Sequence, residues 1–88
     1  MKFFVKDPAS TLDYNMDWTL WLDGDDITIS TWVIDSPLVS MSESETTKIT
    51  TIFVAGGVDG ETYTLTNNIN TISGRVDERS IILRVANR

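Results

Sequence analysis

The chain contains no cysteine and no histidine. Without cysteine there is no disulfide framework and no thiol chemistry, and the redox compartment stays open. Without histidine, catalysis at neutral pH loses its commonest acid–base group, and a zinc site would lack both of its usual ligand types. Long apolar runs are missing too: no segment approaches the roughly 20 residues that a membrane-spanning helix needs. The stretch "MKFFVKDPAS" offers only Phe3, Phe4 and Val5 as an apolar run, too short for a signal peptide, so the expectation is a soluble, non-secreted protein with no membrane partner. No Gly-rich phosphate loop, Ser–His–Asp set or metal motif occurs. No cofactor and no enzymatic activity are therefore expected.

What is present is enough for one domain. The 88 residues are 41% hydrophobic, which supplies one modest core and excludes a disordered acidic tail. The net charge of −6 argues against nucleic acid, because phosphate contacts need clustered Lys and Arg. The charge is unevenly placed. Residues 7 to 61 hold eleven acids against Lys48 alone, whereas residues 75 to 88 hold four arginines against Asp77 and Glu78. Either this is chance in a short chain, or copies of the protein, or a partner, meet an acidic face with a basic edge.

Period-two alternation dominates the pattern. In "LDYNMDWTLWLD", Leu12, Tyr14, Met16, Trp18, Leu20 and Leu22 share one face, which predicts a long half-buried strand with an internal bend and Trp21 on its polar side. "DGDD" (Asp23 to Asp26) reads as a hairpin turn into a second strand, "ITISTWVID", whose apolar phase changes near Ser30 and Thr31 and predicts a bulge there. Pro37 ends that strand or opens an edge. "LVSMSESE" is polar enough for an edge strand. "KITTIFVAGG" turns Ile52 and Val54 inward and leaves Phe53 partly outward. "TYTLTNNINT" aligns Tyr63, Leu65, Asn67 and Ile69 opposite a wholly polar face. The last strand turns Ile81, Leu83 and Val85 inward, with Ile82 and Arg84 outward.

Six or seven antiparallel strands and no helical periodicity point to an all-β protein, a sandwich or small barrel, and a corner motif narrows this to a single immunoglobulin-like β-sandwich. "DGETYTL" sharpens this. A Tyr entering a late strand after a turn resembles the tyrosine corner of Ig-like domains, with Tyr63 bonding the corner backbone and Leu65 at the position a disulfide cysteine takes in antibody domains. Residues 1–10 then form an N-terminal arm and 11–88 the sandwich. The arm's "KFFV" either pairs with another subunit or folds back as the domain's own first strand.

Two sites bear on chemistry. "DGDD" packs its acids too closely for a calcium loop, which needs ligands at alternate positions over about twelve residues, so a solvated turn is the better reading. Asn67, polar on an apolar face, must find hydrogen-bond partners: it either pins the strand register or contacts a ligand. Exposed aromatics and cations carry the remaining information. Phe3, Phe4, Trp21, Phe53, Arg75, Arg79, Ile82 and Arg84 are the candidate protein-interface residues.

From Lys6 to Val85 the chain resembles a family of small tailed-phage virion proteins, the phage fibre–tail adaptor proteins. The resemblance rests on the "KDP" opening, the Asp17–Trp18 pair, a "GD.I..S.W"-like block (Gly24 to Trp32), "YTLTN.I.T" (Tyr63 to Thr71) and "GR.DERS" (Gly74 to Ser80). The extra acid in "DGDD" and the "VID" after Trp32 depart mildly from it. The resemblance implies a non-enzymatic structural virion protein that joins tail or neck components to fibres through contacts with other virion proteins, in repeated copies around a symmetric particle. A capsid decoration protein is the alternative within the virion. A carbohydrate-binding module using Trp21 and a host-directed inhibitor are the alternatives from other classes. Arg75 and Arg79, on a turn between the last two strands, pair either with acids of a neighbouring copy or partner, or within their own domain.

Overall fold

The alternating segments do form strands, and the strands form two sheets packed as a sandwich. The computed structural model describes residues 2–87. Its elements are β1 (Lys2–Lys6), β2 (Leu12–Asp17), α1 (Thr19–Leu22), β3 (Ile27–Ile34), β4 (Val39–Glu45), β5 (Ile49–Ala55), β6 (Thr62–Thr71) and β7 (Val76–Val85). One sheet has the order β1-β7-β6-β3, the other β2-β5-β4. The strands β2, β5 and β4 occupy the places of strands B, E and D of an Ig sandwich, and β3, β6 and β7 those of C, F and G.

The N-terminal segment folds back as the domain's own first strand. β1 runs parallel to β7, with Phe3 opposite Ile82 and Val5 opposite Arg84, so one pair departs from the expected antiparallel arrangement. Residues 2–6 therefore belong to a sheet. Two contacts hold them there: Phe4 packs on Tyr14 with ring centroids 5.3 Å apart, and Lys6 is buried. The Lys6 ammonium donates to the carbonyls of Asp7 and Gly56, both at 2.8 Å. Burial lowers its pKa, and neighbouring Asp7 partly opposes the shift. Lys6 is thus no part of the surface charge, and Arg88 lies outside the described residues.

The core draws alternate residues from β2, β5, β6 and β7. Ile52 and Val54 point in and Phe53 out; Tyr63, Leu65, Asn67 and Ile69 point in; Ile81, Leu83 and Val85 point in. The corner is as expected, the Val58 N–H donating to the Tyr63 hydroxyl at 2.9 Å. Beside it the chain passes close to β7. A Cβ on Gly57, whose φ is +99°, would sit 2.6 Å from Val85 Cγ2. β4 lies at an edge, and β3 ends before Pro37.

Four local expectations are corrected. The long strand through Leu22 stops at Asp17, and Thr19–Leu22 forms one helical turn. Trp18 and Leu22 suit both patterns, being an even number of residues apart and also one helical turn apart. The two patterns differ at the residues between them: the helix turns Leu20 out to 96% exposure and turns Trp21 against the core. "DGDD" is not a hairpin, because β2 and β3 lie in different sheets and the segment carries the chain between them. The bulge in β3 falls between Ile27 and Ile29, which turns Ser30 inward toward Asn67. Finally, the turn before β7 ends at Arg75. Asp77, Glu78 and Arg79 are strand residues, paired with Ile69, Asn68 and Asn67.

Candidate protein-docking surface at the loop end

Three connections meet at one end of the sandwich: residues 18–26, 46–48 and 72–75. Backbone bonds tie them together. The Trp18 N–H donates to Lys48 O at 3.0 Å, the Ile27 N–H to Thr47 O at 2.9 Å, and the Ile72 N–H to Asp26 O at 3.0 Å. Lys48 adds an ion pair to Asp26 at 2.9 Å and a hydrogen bond to the Asp25 carbonyl.

Asp25 is the centre of this end. Its carboxylate accepts from the Ser73 hydroxyl, from the Asp26 N–H at 2.9 Å and from Arg75 Nε at 3.1 Å. The hydrogen bonds from Ser73 and Thr71, joined by those from Asp26 and Arg75, hold its pKa well below the usual carboxylate range against the opposing effect of burial. Among the described residues, no group of acids converges as metal ligands, and Asp25 and Asp26 are each committed to a cation.

The two arginines of "GRVDERS" brace α1. Arg75 donates to Leu22 O at 2.6 Å and to Trp21 O at 3.3 Å, and its guanidinium lies 4.3 Å from the centre of the Trp21 ring. Arg79 lies 4.2 Å over Trp18 and reaches Asp17 O at 3.4 Å. The two indoles meet edge to face, 5.4 Å apart. Arg75 satisfies carbonyls at the end of the single turn, Arg79 reaches one just before its start, and both cover aromatic surface.

This braced end displays apolar side chains. Leu20 projects from α1, Ile72 (70% exposed) from the turn, and Val76 (69% exposed) from the start of β7. None of the three was a sequence candidate. Leu20 was hidden by its fit to a strand pattern, and nothing local marks an exposed Ile in a turn as a contact.

The sequence candidates fall in three places. Arg75, Arg79 and Trp21 belong to the loop end, where Trp21 is half-buried beneath Arg75. The aromatic required by the carbohydrate reading is therefore covered. Phe3, Ile82 and Arg84 share the outer face of the four-stranded sheet, while Phe4 turns the other way, onto Tyr14. Phe53 stands on the outer face of the three-stranded sheet. Asn67 is fully buried and fully bonded: it accepts from Trp18 Nε1 and Thr50 Oγ1 and donates to Ser30 Oγ and Thr31 O. It is a structural pin.

The class of protein that the two sheets and the tyrosine corner define is the Ig-like β-sandwich. The more particular assignment comes from comparison with known families: residues 6–84 match the model of the podophage GP4 fiber-tail adaptor protein gp77, and the chain belongs to that family. It is a non-enzymatic structural component of the phage tail that binds other virion proteins, which takes the place of the capsid-decoration alternative. Comparison with curated proteins returns no significant match.

Proposed function

We propose that the loop end is the surface by which this adaptor grips another virion protein. One observation carries the reading: Leu20 is almost wholly exposed on a helical turn that Arg75, Asp25 and Arg79 hold rigid. A Leu this exposed buries almost no apolar area in its own fold, yet it stands on a turn bonded at both ends. Contact loops of Ig-like domains cluster at the ends of the sandwich, and ordering them before the partner arrives lowers the cost of association. Leu20 is the anchor, Ile72 and Val76 extend the apolar surface, and Arg75 and Arg79 act as braces for it.

The test is complementation of phage lacking this protein with Leu20→Asp and with the double variant Leu20→Asp/Ile72→Asp. Both fold with unchanged thermal midpoints. Purified particles then carry at least tenfold less adaptor or fibre than wild type. Particles with a normal complement of both would overturn the reading.

A further inference from the structure

The two sheets differ in charge as well as in strand number. The three-stranded sheet carries no Lys or Arg in its strands. β2 places Asp13 and Asp17 on its outer face, paired with Phe53 and Ile49, while Glu43 and Glu45 of the edge strand β4 pair with the buried Ile52 and Thr50 and stand on the other side. On the outer face of this sheet Phe53 is exposed, with Asp13 beside it on β2 and Ser42 beside it on β4. The other sheet presents a patch of matching form and opposite charge. Phe3 and Ile82 are cross-strand partners, and in the next outward row so are Val5 and Arg84. Phe3 and Val5 are exposed and Ile82 is half-buried.

We infer that these two faces bind each other in different copies of the chain, with the Phe3/Ile82/Arg84 face of one copy on the Phe53/Asp13 face of the next. Charge selects this pairing. Two copies of the acidic face repel, whereas Arg84 opposite Asp13 attracts across an apolar centre. Height along the sandwich also agrees. The Phe4–Tyr14 contact joins the immediate neighbours of Phe3 and Asp13, and Asp13 is paired with Phe53, so the two patches lie back to back at one level. A copy stacked along the sheet normal meets its neighbour without sliding along the strands. Because the two surfaces are unlike, the contact is heterologous and repeats from copy to copy, closing into a ring where the rotation allows. Ile82 and Arg84 lie toward the opposite end of β7 from Val76, so this contact is separate from the one proposed at the loop end.

The absence of cysteine makes a direct test available. Ile82→Cys and Phe53→Cys are prepared separately, checked by thermal melting, mixed at high concentration and oxidised mildly. The expected product is the mixed dimer, several-fold over either self-linked dimer and over a control pair, Thr31→Cys with Ser44→Cys. Adding Arg84→Glu to the Ile82→Cys chain cuts the yield several-fold, and Asp13→Arg in the Phe53→Cys chain restores it. Mixed-dimer yields no higher than the control, or no response to the charge exchange, overturn the inference. Should either cysteine variant fail to melt as wild type does, Thr64→Cys and Ser42→Cys occupy neighbouring positions on the same faces and replace it, with the same outcomes.

Discussion

Trp18 and Asn67 are joined across the sandwich, the indole Nε1–H donating to Asn67 Oδ1 at 3.0 Å with both residues fully buried. Thr50 donates to the same oxygen at 2.7 Å, so one amide holds the residue after β2 and the start of β5 against β6. Its own donors reach back to β3. Asn67→Leu removes all four bonds and leaves Trp18 Nε1 and Thr50 Oγ1 buried without acceptors. The expected loss is on the order of 2–4 kcal/mol, read from urea unfolding midpoints. A variant as stable as wild type would mean the network contributes little.

Gly57 and Gly24 separate two costs that are usually confounded. Both have positive φ, but a Cβ on Gly24 meets nothing within 4 Å, whereas one on Gly57 collides with Val85. Gly24→Ala therefore shows the backbone cost alone, about 1–2 kcal/mol. Gly57→Ala adds overpacking worth roughly 1–3 kcal/mol more. Equal losses in thermal denaturation would show that β7 yields freely.

Removing the arginine braces lowers stability unequally. Arg79→Ala uncovers Trp18 and costs about 0.5–1 kcal/mol. Arg75→Ala loses a stacked ring, two carbonyl acceptors and Asp25, and costs about 1–2 kcal/mol. Denaturant unfolding followed by tryptophan fluorescence checks both. If stability stays unchanged while assembly weakens with rising salt, the arginines act between molecules and not as braces.

Asp25 makes the loop end acid-sensitive. Its folded pKa lies below the ordinary value of 3.8, so the stability it contributes is complete above that value and is lost as pH falls through the folded pKa. Asp25→Asn keeps the shape without the charge. Wild type is expected to be the more stable at pH 7, with the gap narrowing once pH drops below about 4. A gap that stays constant from pH 7 to pH 2.5 in urea melts would contradict this.

Much of the fold is legible residue by residue because strands write their burial at period two. Ile52, Val54, Leu65, Ile69, Ile81 and Leu83 are inward in the pattern and inward in the sandwich, and Tyr63 identifies the corner from its place after a turn. The segment from Trp18 to Leu22 is where the pattern misleads, since its two buried residues satisfy a strand and a helix alike. Only the demand to pass from one sheet to the other resolves it. The exposure of Leu20, Ile72 and Val76 at the loop end was illegible for a related reason: it depends on how residues 18–26 and 72–75 meet, which is not recorded at short sequence separation.

By itself the sequence determined the chemistry that is missing, the β class, the inner face of most strands and the family. The class and the inner faces follow from composition and local periodicity, which need no partner in space, and the family follows from resemblance of ordered motifs along the chain. The tertiary structure decided that the first strand joins β7, that Arg75 and Arg79 turn onto tryptophans, and that the acids of β2 and β4 gather on one sheet. Each of those depends on which distant segments become neighbours, and long-range pairing leaves no mark at short sequence separation.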